Sequence, residues 1–416
     1  MIDPIILARV VHIAATVLAA GTVCFMVLVA EPAFERVLSR ALDTLRRRCN
    51  AMIWAALAVA IASGALWLVL LAANIYGAPL AEVCLHGGLW SVLTETRFGM
   101  VWSVRLALAL LLGLFLLSPS LRWLQLAAAA ALIALLALIG HAGATTGALG
   151  NLHLASDLMH LIAAGAWLGS LPGLVLLLAM RPQPKGVANR AASRFSMLGI
   201  AAVAAILASG ILNSWMLLGG PRDLLTTEYG RLLSLKIGLF VSMLGVAAVN
   251  KFYLTPQLAK AGARAALGRN SMAETALGFG IVVLVAVLGT LSPTSHHHLP
   301  TADVPADAAF THIHSEEGMA EVTIEPGHAG RANASIRVMH EDSSQFLTDR
   351  VQLMLDPPAH GPEPVSRAAV RQPDGTWQVD GISLPQPGNW TVRVIFTGEK
   401  GHQIVLDAPI VIAPTP

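Results

Sequence analysis

Eight long apolar runs dominate this sequence and restrict what the chain can fold into. They lie at approximately 5–30, 51–73, 98–118, 122–140, 153–180, 195–218, 230–252 and 272–291. Each is long enough for a helix to cross a hydrocarbon core of ~30 Å. Only 12% of the 416 residues are charged and the mean hydropathy is +0.65, values typical of membrane proteins rather than soluble ones. We therefore predict an all-α bundle of about eight transmembrane helices in residues 1–293.

The character of the chain changes after this helical region. Residues 294–318 form a polar, His-containing linker by composition. Residues 319–416 contain short runs of alternating apolar and polar residues, such as AEVTI and NWTVRVIF, separated by Gly, Pro and Asp. This spacing is typical of antiparallel strands. It predicts a small all-β sandwich of about seven strands that resembles immunoglobulin-like modules.

Loop charges predict the orientation in the membrane. Arg and Lys are concentrated in the loops at 31–50, 181–194 and 251–271. By the positive-inside rule these loops are cytoplasmic, which places both termini and the sandwich on the opposite side. The first run begins almost at Met1, lacks a basic start and is too long for a signal peptide, so we expect it to be retained. We predict a multi-pass protein of a bacterial inner membrane with periplasmic termini.

The stretch from His141 to Gly169 contains the most informative polar residues. His153, Asp157 and His160 follow one another at intervals of four and three residues, which places them on one face of a helix. Because an ionisable side chain is costly to bury in a bilayer, such residues indicate function by default. We expect this face to point into the bundle, with His141 at its periplasmic mouth.

The first span contains a matching histidine. His12 and His160 are 148 residues apart, and a glycine follows each of them nine residues later, at Gly21 and Gly169. The match suggests two related four-helix halves and places both histidines at similar depth. Our candidate metal ligands are His12, His141, His153 and His160. Since His153 and His160 lie about 10.5 Å apart along a helix axis, one ion cannot bind both, and we predict successive sites along a path.

The ligand types indicate copper, because neutral imidazole and methionine sulfur suit this metal, most readily as Cu(I). Five further residues are candidates to line the path or to support the ligands: Asp157, Met159, Asn213, Met216 and Lys236. Asp157 could orient an imidazole or accept a proton. Lys236 could pair with Asp157 or extend towards the interface. Arg105, about two turns inside the third span, needs a carboxylate, a carbonyl or water as its partner.

Weaker signals for metal capture lie outside the spans. They are Cys84 and His86 in a periplasmic loop, the consecutive His296, His297 and His298 in the linker, and the nearby His312 and His314. Histidine-rich tracts can bind metal. Ordinary loop and linker residues are the alternative at each position. No two of the three cysteines form a CxxC pair, and we expect none of them to form a disulfide.

Several segments together resemble the copper resistance D family of inner-membrane proteins. They are His12, the HLASDLMHLIAAGAWLGSLPGL segment, the GILNSWMLLGGPRDLLTTEYGRLLSLKIGLF segment, Asn250-Lys251-Phe252 and the exit at 288–293. The resemblance covers roughly residues 1–293. It implies eight spans, copper handling at the periplasmic face and copper movement towards the cytoplasm.

Three functional classes follow from these observations. The favoured one is a non-enzymatic copper-handling protein of the lipid bilayer that receives copper ions, with a periplasmic copper chaperone as a candidate partner. Its rival is a haem-binding electron carrier, because histidines on two spans could ligate one haem iron. The third is a structural or sensory membrane module. No P-loop is present, and we expect neither ATP nor nucleic acid as a partner.

Overall fold

The computed structural model describes residues 3–34, 40–76, 79–85, 88–140, 147–181, 184–218, 220–260, 262–291, 305, 307–315, 318–340, 344–357, 364–398 and 402–415. The chain divides into two compact units, Met1–His298 and Leu299–Pro416. Each unit has hydrophobic clusters of its own. The first unit is helical and the second consists of β-strands.

Within the described residues, eight helices are long and apolar enough to cross a membrane. We number them α1 (Pro4–Phe34), α2 (Arg40–Ile75), α3 (Arg97–Leu116), α4 (Pro119–Ile139), α5 (Leu149–Ala179), α6 (Val187–Leu217), α7 (Glu228–Gln257) and α8 (Ala263–Leu288). Short helices at Leu80–Leu85, Gly88–Glu95 and Asp223–Thr226 lie between them. The predicted membrane bundle is confirmed.

Several of the eight helices are irregular. α1 contains a π-helical segment at Phe25–Ala30, and α7 contains one at Asn250–Leu254. α5 is interrupted after Leu168 and resumes at Leu171, with Pro172 in the first turn of the second segment. Proline is tolerated there because the first amides of a helix have no carbonyl partner within it.

α1 is the central helix and packs against α2, α4, α5 and α8. Its closest approach to α5 is at Gly21 and Gly169, where a Cβ on either glycine would overlap the backbone of the other helix. The hydroxyl of Ser170 donates a hydrogen bond to the carbonyl of Gly21 at 2.9 Å. Small residues allow such close packing between membrane helices. The contact fixes the relative positions of the two helices that contain His12 and His160.

The second unit is a sandwich of two antiparallel sheets. Its strands are β1 (Ala309–Ser315), β2 (Gly318–Glu325), β3 (Gly330–Met339), β4 (Val351–Asp356), β5 (Val365–Ala368), β6 (Val370–Arg371), β7 (Trp377–Leu384), β8 (Gly388–Thr397) and β9 (Gln403–Ile412). One sheet has the order β1-β2-β3-β7-β6 and the other β5-β4-β8-β9. The predicted β-sandwich is confirmed, with two more strands in the described residues than the seven expected.

The core of the sandwich is built from the inward-facing residues of both sheets. In β3 every second residue from Ala332 to Val338 is buried, as expected for a strand with one face on the core. Trp390 and Phe396 of β8 are almost fully buried. β1 lies inside the segment 294–318 that we expect to be linker, so His312 and His314 belong to a strand. This strand was not predicted, because FTHIHS, in which histidines alternate with apolar residues, falls by composition in the His-containing linker.

Candidate functional site in the membrane helices

The predicted site residues of the membrane region lie on four helices. His12 lies on α1, His153, Asp157, Met159 and His160 on α5, Asn213 and Met216 on α6, and Lys236 on α7. His141, His86 and the triple histidine at 296–298 lie outside the described residues. Metal binding by these five histidines therefore stays a prediction.

His12 is buried, with 5% of its surface exposed, and both of its ring nitrogens have partners. Nδ1 lies 2.8 Å from the carbonyl oxygen of Ala60 on α2, and Nε2 lies 2.8 Å from a guanidinium nitrogen of Arg105 on α3. A guanidinium can only donate, so Nε2 accepts and Nδ1 carries the proton that is donated to Ala60. The ring is a neutral imidazole without a lone pair for a metal ion in this geometry.

Arg105 holds this arrangement in place from α3. Its side chain is 3% exposed and also donates to the carbonyl of Leu132 on α4 and, at 3.4 Å, to the hydroxyl of Thr16 on α1. A carbonyl partner is one of the three that the sequence predicts for this arginine. The contact with His12 was not foreseen, because it joins residues that are 93 positions apart.

His160 has a different environment. Its Nδ1 lies 3.0 Å from the hydroxyl oxygen of Ser209 on α6. That hydroxyl donates its own hydrogen to the carbonyl of Ala205 at 2.6 Å, so it accepts from Nδ1. The ring also interacts with the carbonyl of Ile206. Within the described part of the chain Nε2 has no hydrogen-bond partner, which leaves its lone pair available to a ligand.

Polar groups surround His160 on the side towards the start of α5. Asp157, one turn before it, accepts a hydrogen bond from the amide nitrogen of Asn213 at 3.1 Å. Lys236 and Tyr229 on α7 both interact electrostatically with Asp157. Asn213 thus forms a hydrogen bond between α6 and α5. Lys236 interacts electrostatically with the carboxylate, although the two are not in ion-pair contact within the described structure.

The hydrogen bonds between α5 and α6 define an antiparallel register. Ser156 and His160 contact Ser209, and Asp157 contacts Asn213. Continuing this register brings Met216 level with His153, which is 2% exposed. The groove between the two helices therefore carries a line of polar residues, with Met216 at the level of His153. Among the residues that the structure describes, no three His, Cys, Asp or Glu side chains form one metal cluster.

The remaining candidates lie away from this groove. Met159 is 43% exposed on the other face of α5. Cys84 is an exposed free cysteine. In the sandwich, Nδ1 of His312 lies 3.6 Å from the carboxylate of Glu321, and His314 is paired in register with Met319. Metal capture by Cys84, His312 and His314 stays a prediction.

A second polar cluster at the far end of α7 was not predicted. Glu274 of α8 is only 1% exposed and accepts a hydrogen bond from the amide of Asn250, which in turn accepts one from Asn270 at 2.9 Å. One carboxylate oxygen of Glu274 is buried without a hydrogen-bond partner in the described residues. Because α8 starts at Ala263, ahead of the apolar run at 272–291, Glu274 lies well inside the helix.

These features define a polytopic membrane protein with ionisable groups buried between its helices, a class to which transporters and electron carriers belong. The family model described as "Copper resistance protein D" matches residues 189–288, and the one described as "Copper resistance protein D-like, N-terminal domain" matches residues 1–151. The chain belongs to the copper resistance D family, as its sequence segments indicate. It is a copper-related protein of the inner membrane.

Three curated relatives support this assignment. Inner membrane protein YebZ of Escherichia coli (strain K12) is 35% identical over 49% of this chain and 72% of its own length. Copper resistance protein D of Pseudomonas syringae pv. tomato is 34% identical over 49% of this chain and 71% of its own. Copper transport protein CutJ of Bacillus subtilis (strain 168) is 29% identical over 74% of this chain and 57% of its own. No solved structure matches the chain.

Proposed function

We propose that this protein carries copper ions, as Cu(I), across the bacterial inner membrane from the periplasm to the cytoplasm, and that His160 is its principal intramembrane ligand. The orientation follows from the Arg- and Lys-rich loops, and the cargo from the family and the ligand types. CutJ, a relative named as a copper transport protein, matches 74% of the chain. The activity is transport rather than enzymatic chemistry.

The observation that carries this proposal is the state of the His160 ring. Ser209 fixes its orientation through Nδ1, so the lone pair of Nε2 is left for the cargo. Orientation of a ligating histidine by a hydrogen bond on its other nitrogen is the usual arrangement in metal sites. Asp157 supplies a compensating negative charge one turn away, and the α5–α6 register brings Met216 level with His153 nearer the start of α5.

The route enters at the start of α5 and passes along the groove between α5 and α6. His153 and Met216 form the outer step, and Asp157, Asn213 and His160 form the inner one. A periplasmic copper chaperone is the partner that would deliver Cu(I) to this end. Because His153 and His160 are about 10.5 Å apart along the axis, the ion is handed from one step to the next rather than held by both.

The geometry does not favour a haem held between α1 and α5. An axial pair needs one free nitrogen from each histidine. Those of His12 are occupied by Ala60 and Arg105 on α2 and α3, whereas His160 is oriented by α6. Because both ring nitrogens of His12 have protein partners, we also do not include His12 among the copper ligands of the route.

Replacement of His160 tests the proposal directly. In full-length protein purified in detergent, His160→Gln is expected to weaken Cu(I) binding by at least about tenfold, since loss even of a group supporting a metal ligand costs 10–100-fold. Competition with a coloured Cu(I) chelator measures the affinity, and copper uptake by cells or vesicles should fall with it.

Ile162→Ala is the matched control, because Ile162 lies two residues further on the same helix and is 39% exposed. It should bind copper like the wild type. Equal Cu(I) affinity of wild type and His160→Gln would contradict the proposal. A stoichiometric Soret band from the purified wild type would instead favour the haem carrier.

Glu274→Gln tests whether the route continues to the cytoplasmic end. Buried carboxylates within membrane helices mark cation pathways, and Glu274 has an unpartnered oxygen in the described structure. We expect Cu(I) binding at His160 to stay unchanged and copper uptake into vesicles to fall several-fold. Glu228→Gln, at an exposed carboxylate on α7, is the control and should not affect uptake. Unchanged uptake by Glu274→Gln would remove this residue from the route.

A further inference from the structure

The two histidine environments are built from the same parts of the fold. His12 and His160 lie nine residues before the glycines at which α1 and α5 cross, Gly21 and Gly169. A contact between equivalent positions is what two related halves produce when they pack around an approximate two-fold axis. The two halves of the bundle can therefore be compared residue by residue.

α2 and α6 provide the second matching part. Each contains an Ala-Ser-Gly triplet, at 62–64 and 208–210. The hydroxyl of Ser63 donates at 2.6 and 3.3 Å to carbonyls four and three residues earlier, and the hydroxyl of Ser209 does the same at the same distances. In both halves the imidazole lies against the glycine of the triplet, Gly64 or Gly210.

α3 and α7 provide the third. The segments 96–105 and 227–236 share Thr, an aromatic residue, Gly, Ser and a basic residue at the same relative positions. The hydroxyls of Thr96 and Thr227 each accept a hydrogen bond at 3.0 Å from the amide of the glycine three residues later. The final basic residue is Arg105 in the first segment and Lys236 in the second. These two residues are therefore structural equivalents.

The two equivalent basic residues, Arg105 and Lys236, interact with their histidines in different ways. Arg105 reaches His12 and donates to Nε2 at 2.8 Å. Lys236 interacts with His160 electrostatically and makes no hydrogen bond within the described structure. The guanidinium extends further and presents a rigid fork of donors, whereas the ammonium is a compact charge on a flexible stem. Consequently, Nε2 of His12 is covered by Arg105, whereas Nε2 of His160 is open.

The position one turn before each histidine differs in the same sense. In the first half it is Arg9, whose guanidinium stacks over the ring of Trp67 at 5.2 Å. In the second half it is Asp157, bonded to Asn213 at 3.1 Å. Trp67 and Asn213 are themselves equivalent, since each lies three residues after the glycine of its triplet. The first half thus places a guanidinium directly on its imidazole and a second one over Trp67, and both repel a cation, while the second half provides a carboxylate.

We infer that the N-terminal half contains a closed copy of the copper site, in which the guanidinium of Arg105 takes the place that Cu(I) takes on His160, and that the residue at positions 105 and 236 determines whether each copy is open. The inference rests on the proposed function, because it assumes that His160 binds copper. On this inference Lys236 is the residue that keeps the copper site at His160 open, since an arginine in its place would cover Nε2 and close the route.

Lys236→Arg is the closing experiment. In full-length detergent-purified protein we expect Cu(I) affinity to fall by at least about tenfold, as for a lost ligand. Because this change conserves the positive charge, a loss of Cu(I) affinity would show that the longer guanidinium covers Nε2 of His160. Lys236→Gln removes the charge without adding a guanidinium and should bind Cu(I) at least as tightly as wild type. Arg231→Lys, at an exposed position of the same helix, controls for a general effect of exchanging the two residue types.

The opening experiment combines Arg105→Lys, the change that the inference requires, with Arg9→Asn, which removes the other guanidinium of the first half. We expect a second equivalent of bound Cu(I) that disappears when His12→Gln is added, while the His160-dependent equivalent remains. Persistence of that first equivalent shows that the variant is folded, and gel filtration with thermal melting confirms it.

The outcomes separate the two proposals. If wild type shows no His160-dependent copper binding, the proposed function is wrong and the inference falls with it. If wild type binds copper through His160 but Lys236→Arg binds equally well, the proposed function stands and the inference is overturned. A folded Arg9→Asn, Arg105→Lys double variant without a second site would also overturn it.

Discussion

Gly169→Leu is expected to abolish the folded membrane unit. A Cβ at position 169 would lie 2.8 Å from the Cα of Gly21 and would overlap the carbonyl oxygen of Val17. The obstructing atoms belong to backbone, so only separation of α1 from α5 relieves the overlap. Because overpacking of a rigid contact between central helices has no cheap relaxation, we expect a destabilisation above about 4 kcal/mol. Fluorescence-detected gel filtration of the expressed protein and its melting temperature measure the effect.

Gly245→Leu is the matched control on α7. A Cβ at Gly245 meets no atom within 4 Å, so the larger side chain has open space. This variant should be recovered as a monodisperse peak with a melting temperature close to that of the wild type. Recovery of Gly169→Leu in similar yield would show that the α1–α5 contact is not essential for the fold.

The architecture of the membrane unit was predictable because it follows from one strong physical constraint. A segment that crosses the bilayer has to be apolar over its whole length, so every span leaves a signal in a single sequence. The start of α8 at Ala263 was hidden, because its first turns contain Arg264, Arg269 and Asn270. Those turns lie outside the apolar run, and composition does not show where a helix begins in such a segment.

The site was predictable only along a single helix. The period of 3.6 residues places His153, Asp157 and His160 on one face of α5 from sequence alone. Which helix faces them depends on contacts over 49 and 56 residues, to Ser209 and Asn213, and no local pattern encodes these.

The different hydrogen bonding of His12 and His160 could not be predicted from the sequence for the same reason. A match in sequence between two histidines predicts equivalent position and not equivalent chemistry. Whether a ring nitrogen is free depends on a neighbour such as Arg105 from another span. The signal that could have found this neighbour is the match between segments 96–105 and 227–236, which pairs Arg105 with Lys236.

Trp390→Ala is expected to destabilise the β-sandwich by about 3–5 kcal/mol, the usual cost of removing a large aromatic side chain from a core. Trp390 is 1% exposed near the start of β8, and its indole nitrogen donates a hydrogen bond to the carbonyl of Gln386 at 3.1 Å. The substitution therefore leaves a cavity and a carbonyl without its partner. Hydrogen exchange of the β8 amides in the full-length protein, measured against urea, should show a midpoint lowered by more than about 1 M.

Leu347→Ala removes an apolar side chain that is 73% exposed in the same unit and should leave the urea midpoint unchanged. Because the residues of the sandwich core all belong to the second unit, we expect Trp390→Ala to spare His160-dependent Cu(I) binding by the membrane helices. Copper uptake by cells that lose the folded sandwich then measures what this domain contributes to delivery. Loss of Cu(I) binding at His160 in Trp390→Ala would show instead that the membrane site depends on the folded sandwich.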